Sequence, residues 1–139
     1  MMSGIGETAE RFFEACETGK GWERCQQYCY PDATFTAQAS ALEGVDNVQS
    51  YTEWMKGFFT PVPDGHAEIR SFAVDDVRSK VVVYGVFHGT QTGEGGPVPP
   101  TGKRVAIDSV YDMSFDDGKI SHITKIWNDV ASMQQLGWA

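Results

Sequence analysis

The chain has 139 residues, of which 41% are hydrophobic, and this is enough apolar surface for one domain with a buried core. Its formal net charge of −8, with no cluster of lysine or arginine, opposes binding to nucleic acid or to an anionic membrane surface. No run approaches the roughly 20 apolar residues of a membrane-spanning helix, and the polar start lacks a signal-peptide core, so we expect one cytoplasmic domain over residues 1–139.

Three cysteines, Cys16, Cys25 and Cys29, lie near the start of the chain. Their odd number, without a secretory signal, predicts free thiols in a reducing compartment. Cys25 and Cys29 are too few ligands for a zinc site, and the three histidines are scattered along the chain. We therefore expect no metal ion and no cofactor.

Apolar residues at helical spacing predict three helices in the first part of the chain. The first covers residues 7–19, and the second covers residues 22–28. The third begins after Asp46, the predicted N-cap, and Pro61 ends it. A terminal helix follows the last strand, and Asp129 is its candidate cap.

Alternating and β-branched residues predict five strands after the first two helices. The expected strands lie near Thr34–Ala37, Ala67–Val74, Lys80–Thr90, Lys103–Phe115 and Lys119–Asn128. The turn Asp116-Asp117-Gly118 joins the last two as a hairpin. Helices followed by long antiparallel strands are typical of an α+β fold, in which helices cover one face of a bent sheet and a cavity lies between them.

The period of two in the fourth strand indicates which side chains face that cavity. The more apolar set, expected to point inward, is Ile107, Ser109, Tyr111, Met113 and Phe115. Asp108 and Asp112 belong to the outward set, so no strand carboxylate is expected in the cavity. In the last strand, periodicity leaves two sets open, one with Ile120 and His122 and one with Ile123 and Lys125, because each set carries two large apolar residues.

Motifs in the last third of the chain occur in a characteristic order. They are the stretch Gly85–Gly93, the segment Pro99–Val105, the turn Phe115–Ile120, then Trp127 and Gln135–Gly137. This order resembles the SnoaL-like polyketide cyclase family of the nuclear transport factor 2-like superfamily. The resemblance implies a cone-shaped, cystatin-like α+β fold, in which three N-terminal helices pack on a curved, mainly antiparallel sheet that encloses a pocket.

The resemblance also implies where catalytic groups would lie. Cyclases of this family carry a catalytic carboxylate five residues after the isoleucine of Asp-Gly-Lys-Ile and a supporting histidine nine residues before that isoleucine. These positions hold Lys125 and Tyr111 here, and Lys125 would bring Ile123 and Trp127 inward with it. A further departure is Gln91, where many relatives have histidine.

A lysine does not substitute directly for the cyclase carboxylate, which moves a proton at a carbon next to a carbonyl group. A desolvated Lys125 could act as a base, form a Schiff base or hold an acidic ligand, or it could extend to the rim without a chemical role. Tyr111 could donate a hydrogen bond to a carbonyl oxygen or simply be a satisfied core residue. Because Lys125 and Tyr111 stand at these two positions and the strand residues Asp108 and Asp112 are expected to point outward, we do not expect carboxylate-dependent ring closure.

The candidate catalytic residues are thus Lys125 and Tyr111. The candidate ligand-binding residues are Gln91, Trp127, Ile123, Ser109, Met113, Tyr51, Trp54 and Phe12, although aromatic residues at helical spacing are more often core. We predict a cyclase or isomerase-type enzyme acting on a small hydrophobic carbonyl compound. The alternatives are a non-catalytic module that binds a small hydrophobic or acidic molecule, and a mainly structural protein.

A homodimer is also expected. The outer face of the sheet carries Val110 and Ile126, which would otherwise lie in water, and relatives pair through this face.

Overall fold

The structure, a computed structural model, describes residues 4–139; residues 1–3 of the expected domain lie outside it. Its helices and strands are α1 (Ile5–Glu17), α2 (Trp22–Cys25), β1 (Cys29–Ala37), α3 (Val48–Phe58), β2 (His66–Asp75), β3 (Lys80–Thr90), β4 (Arg104–Asp116), β5 (Lys119–Trp127) and α4 (Asp129–Leu136). The strands form one sheet in the order β1-β5-β4-β3-β2, in which only β1 runs parallel to its neighbour. The predicted α+β class, with helices on a curved and mainly antiparallel sheet, is confirmed.

Helix α1 buries one face, and that face ends in a charged residue. Ala9 and Phe13 are on the buried side, and Glu17 lies one helical turn after Phe13 on the same side. Gly19 then adopts a positive φ of 72°, and its N–H donates to the Cys16 carbonyl. The buried face that packs α1 against the sheet therefore also brings the carboxyl group of Glu17 into the interior.

The N-caps of two helices differ by one residue from the predicted ones. Asn47, not Asp46, caps α3, because its side chain accepts a hydrogen bond from the backbone N–H three residues on. Asn128 caps α4 in the same way. Asp129 instead accepts a hydrogen bond of 2.7 Å from the Ala41 N–H, so its carboxylate fixes α4 to the segment that follows β1.

The hairpin between β4 and β5 forms at the predicted turn. Asp117 and Gly118 have φ of 49° and 84°, as a tight two-residue turn requires. The pairing shifts next to this turn, so that Phe115 pairs with Ile120. Ile120 is consequently buried, as is Ile123, so each of the two β5 sets that periodicity left open contributes a residue to the core.

The core lies between the helices and the inner face of the sheet. On β4, the residues predicted to face inward are buried or half-buried, and Asp108 points away and accepts a hydrogen bond from the Tyr84 hydroxyl. Gly85 of β3 pairs with Ser109, and a Cβ at Gly85 would lie 2.8 Å from the Glu68 carbonyl oxygen. A side chain at Gly85 would therefore collide with the β2 backbone, whereas Ser109 lies in the wall of the cavity described below.

The three cysteines are free thiols, as predicted, and all are buried. None of the helices in residues 4–139 is long and apolar enough to cross a membrane.

Candidate functional site

A narrow cavity lies between α3, the end of α1 and the inner face of β3–β5. Its walls are mainly apolar and include four aromatic residues, which are Trp54, Phe58, Phe87 and Trp127. The cavity volume is about 20 Å³, which is room for one or two water molecules. Any larger molecule therefore requires the aromatic walls to move.

Lys125 lies in the wall of this cavity. It projects from β5 opposite Tyr111 of β4. Only 5% of the residue is exposed, so Lys125 does not extend to the rim of the cavity, which was one of the two possibilities that the sequence left open. Its Nζ donates a hydrogen bond of 2.9 Å to the Tyr51 hydroxyl. Four aromatic rings have their centroids 4.4 to 5.9 Å from Nζ, the nearest being Trp127.

Two buried tyrosines continue the hydrogen-bonded chain from Lys125. The Tyr51 hydroxyl, which accepts from Lys125, is hydrogen-bonded to the Tyr111 hydroxyl. Both residues are fully buried, and burial raises the pKa of each well above the ordinary value of a phenol. Both are therefore neutral hydrogen-bonding groups at neutral pH, and each can pass a proton to the next.

Glu17 is the site residue that the sequence analysis missed. It is 3% exposed, lies in the cavity wall, and its Oε2 has no hydrogen-bond partner among residues 4–139. Burial raises the pKa of the Glu17 carboxyl, while the charge of Lys125 and the Tyr111 hydroxyl act in the opposite direction. The sequence-based prediction considered only the aspartates of the strands, whereas the carboxyl group in this cavity comes from helix α1.

Glu17 and Lys125 share the cavity without forming an ion pair. Within the described part of the chain, no carboxylate oxygen lies within 4.0 Å of the Lys125 Nζ. Burial lowers the pKa of Lys125, and the nearby Glu17 and Cys16 only partly counteract this. Burial therefore moves the two pKa values towards each other and favours the neutral form of each group more than water does.

A second polar group without a partner faces the same space. The Ser109 hydroxyl is buried in the cavity wall with no hydrogen-bond partner in residues 4–139. Buried polar atoms are rarely left unpaired in folded proteins. Ser109 and the Oε2 of Glu17 are thus the positions at which a polar group of a bound molecule, or water, would be held.

Gln91 does not belong to this site, contrary to the expectation from the sequence. Its side chain is buried, but its amide donates 3.0 Å to the Gly93 carbonyl and accepts from the Thr101 N–H. Both hydrogen bonds close the loop between β3 and β4. Gln91 is not among the residues that line the cavity, so its role here is structural.

The other predicted ligand-binding residues divide into two groups. Trp54, Trp127 and Ser109 line the cavity, and Tyr51 reaches it through the hydrogen bond with Lys125. The remaining three, Phe12, Met113 and Ile123, are completely buried and are core residues that do not line it. No group of three or more His, Cys, Asp or Glu that could hold a metal ion occurs within residues 4–139.

The sequence model of the SnoaL-like polyketide cyclase family matches residues 7–136 of this chain. The chain belongs to this family. Among solved structures, a candidate SnoaL-like polyketide cyclase from Jannaschia sp. CCS1 is 20% identical, with a TM-score of 0.79 over 97% of this chain and 92% of that one. No curated protein matches.

Two further solved structures share the SnoaL-like fold over almost the whole chain. IdmH from Streptomyces antibioticus, a candidate polyketide cyclase, is 24% identical, with a TM-score of 0.77 over 96% of this chain and 98% of its own. A candidate polyketide cyclase from Acidithiobacillus ferrooxidans is 22% identical, with a TM-score of 0.78 over 100% and 99%. At these identities the likeness establishes the SnoaL-like fold and leaves the reaction to be argued from the cavity.

Proposed function

We propose that this SnoaL-like protein is an acid–base enzyme of the cyclase or isomerase type, which moves a proton at a carbon next to the carbonyl group of a small hydrophobic compound. The observation that carries the proposal is the buried carboxyl of Glu17 in an apolar cavity that also holds Lys125. The family and the candidate polyketide cyclases among the structural neighbours support the same class of substrate.

Glu17 is the proton acceptor in this proposal. A carboxylate whose pKa is raised by burial is a stronger base than one in water, and it can return the proton to the same or another carbon. Its Oε2, which has no partner within residues 4–139, is free to approach a C–H group. Glu17 thereby takes the role that the family resemblance assigns to the position of Lys125.

Lys125 and Ser109 hold the carbonyl oxygen of the substrate. Removing the proton places negative charge on that oxygen, and hydrogen-bond donors already aimed at it in a water-poor cavity stabilise the charge. The Lys125 Nζ is fixed by Tyr51, and the Ser109 hydroxyl has no competing partner in residues 4–139. Tyr111 acts as a positioning residue, since it is hydrogen-bonded to Tyr51 and lies next to Glu17.

The alternative function is the binding of a small molecule without turnover, and the charges of the cavity give little support to an acidic molecule as its ligand. A cationic Lys125 would attract a carboxylate, but Glu17 in the same cavity would repel it. A neutral carbonyl compound avoids this repulsion. The charges of the cavity therefore favour an uncharged ligand.

The proposal is tested by proton exchange, which does not require the natural substrate. The protein is incubated in D₂O with a panel of aryl and alkyl ketones and of aromatic polyketide methyl esters, and loss of the α-proton signal is followed by NMR. We expect exchange above the buffer rate and a loss of about 10²- to 10⁴-fold in Glu17→Gln. Glu14→Gln, which changes an exposed carboxyl of the same helix, is the matched control and should exchange like the unmodified protein.

Two results would count against the proposal. One is exchange no faster than in buffer across the whole panel. The other is exchange by Glu17→Gln at the rate of the unmodified protein, which would remove Glu17 from the reaction.

A further inference from the structure

We infer that Lys125 forms a covalent imine with a ketone or an aldehyde in the cavity, so that the site uses amine catalysis in addition to hydrogen bonding. The inference rests on the proposed function only in placing a carbonyl compound in this cavity. It adds the identity of the bond-forming atom and narrows the substrate class.

The contacts of Lys125 differ from those of a lysine that is buried for structural reasons. A structural buried lysine is normally paired with a carboxylate, because an unpaired buried charge is costly. Here the only hydrogen-bonding partner of Nζ in residues 4–139 is the hydroxyl of Tyr51, which is neutral. The amine is thus held in place by a group that does not require it to be charged.

The surroundings of Nζ also favour a reactive amine. Burial lowers the pKa of Lys125. The four rings around Nζ attract a cation, but they exclude the water that would solvate it far better. The neutral amine has a nucleophilic lone pair, and lysines made neutral in this way are the ones that form Schiff bases.

The remaining groups supply the proton transfers that imine formation needs. The Nζ lone pair attacks the carbonyl carbon, a C–N bond forms, and a proton moves from nitrogen to the former carbonyl oxygen to give a carbinolamine. The Glu17 carboxylic acid then gives its proton, through Tyr111 and Tyr51, to the carbinolamine hydroxyl, which leaves as water. The products are a protonated imine on Lys125 and the Glu17 carboxylate, so charge and atoms balance.

The Glu17 carboxylate that remains after imine formation is the base for enamine formation. Glu17 removes a proton from the carbon next to the C=N bond and becomes a carboxylic acid again, while the electron pair of the C–H bond forms an enamine. The enamine carbon is a nucleophile that takes up a proton or attacks a second carbonyl carbon. Addition of water to the resulting imine releases the product and restores the Lys125 amine.

This chemistry restricts the substrate to ketones and aldehydes. Esters and carboxylates do not form imines under these conditions, and the aromatic walls formed by Trp54, Phe58 and Trp127 suit an aryl or alkyl group. The charge of Glu17 disfavours an acidic substituent. The expected substrate is therefore a small, uncharged, hydrophobic ketone or aldehyde.

Pentane-2,4-dione is the probe that tests the inference. It condenses with a neutral amine, with loss of water, to an enaminone that absorbs in the near ultraviolet and needs no reductant to be stable. At neutral pH we expect one equivalent per chain, located at Lys125 by peptide mapping of the unmodified protein. The rate of labelling at Lys125 should reach half its maximum at a pH below 10.5, the ordinary value for lysine.

Two variants accompany the probe. Lys125→Met should abolish the absorbance, while Lys56→Met, which removes an exposed lysine of α3, should leave it unchanged. Circular dichroism shows whether each variant is folded, and the peptide map of the unmodified protein gives an answer that does not depend on any variant.

The inference is overturned if the adduct is spread over surface lysines without enrichment at Lys125, or if Lys125 stays unlabelled. Its failure is distinguishable from failure of the proposed function. Ketone α-proton exchange that depends on Glu17, together with an unlabelled Lys125, would leave the proposed function standing and refute the imine. A labelled Lys125 without exchange would support the imine and refute the proposed proton transfer.

Discussion

Replacing both buried charged residues by methionine is expected to stabilise the protein while abolishing its activity. Glu17 and Lys125 are 3% and 5% exposed, and in residues 4–139 they do not form an ion pair within 4.0 Å. Each group has therefore lost its hydration without gaining a direct counter-charge. Methionine has a similar length and adapts its shape to an irregular cavity.

The magnitude of this effect follows from two opposing contributions. Exchanging a buried ion pair for apolar residues of similar volume stabilises a protein by about 1–4 kcal/mol. The double variant also removes the hydrogen bond from Lys125 to Tyr51 and the Glu17 carboxyl beside Tyr111, which costs about 1 kcal/mol. The net expectation is a gain of about 0–3 kcal/mol, or a rise in Tm of up to roughly 12 °C for a chain of this length.

Differential scanning calorimetry and urea unfolding at neutral pH measure the change. The matched control is Glu14→Met/Lys56→Met, which alters the composition in the same way at exposed positions and should stay within about 0.5 kcal/mol of the unmodified protein. A Glu17→Met/Lys125→Met protein less stable than the unmodified one would refute the reasoning, because it would mean that the buried charges stabilise the fold.

Two further predictions concern the cavity wall and the outer face of the sheet. Phe58→Ala should widen the cavity and so increase the rate at which pentane-2,4-dione labels Lys125. Loss of this half-buried ring should lower the unfolding free energy by about 2–3 kcal/mol. Unchanged labelling kinetics would show that the probe does not enter the cavity past Phe58. Ile126 is 63% exposed on the outer face, and we propose that this face forms a homodimer. Ile126→Glu should then sediment as a monomer at micromolar concentration, whereas Val77→Glu, at a turn residue 91% exposed, should not change the assembly; an unmodified protein that is already monomeric would contradict the dimer.

The inner face of the sheet could be predicted from the sequence because short-range rules determine it. The pleat of β4 alternates its side chains, so that Ser109, Tyr111 and Met113 share the inner face. The two-residue turn at Asp117 and Gly118 fixes where the hairpin begins, but its register alone would pair Tyr111 with Thr124 and not with Lys125. The shift at the end of the hairpin was not predictable in this way. The extra residue at this shift reverses the alternation, so that Ile120 and Ile123 both face the core and Lys125 becomes the partner of Tyr111.

The site could be predicted only in part, because its missing member depends on how a helix docks. A glutamate in the last turn of an amphipathic helix is usually solvated, and nothing local distinguishes Glu17 from Glu14 except its place on the apolar stripe after Phe13. Gln91 was misassigned for a related reason. Its amide is used by backbone groups of its own loop, including that of Thr101, and only the folded loop reveals this.

The geometry also predicts that the cavity cannot hold two ionised carboxyl groups at the same time. The variant Lys125→Asp restores the carboxylate that the family resemblance implies at this position, but it adds that carboxylate to a cavity that already contains Glu17. Two carboxyl groups in one poorly solvated site do not both ionise near neutral pH, so one of them retains a proton and its pKa rises. A carboxylate at position 125 and one at position 17 are therefore alternatives.

The pH dependence of the unfolding free energy tests whether carboxyl groups at positions 17 and 125 can both be ionised in the folded protein. In Lys125→Asp the folded protein binds a proton more tightly than the unfolded chain does, so the stability present at low pH is lost as pH rises through the raised folded pKa. As pH rises above about 4, the ordinary pKa of a carboxyl in the unfolded chain, the unfolding free energy of Lys125→Asp should therefore fall by more than that of Lys125→Asp/Glu17→Gln, which carries a single carboxyl. Equal pH dependence in the two variants would mean that Glu17 does not share the cavity with position 125, and the roles proposed for both residues would then fail together.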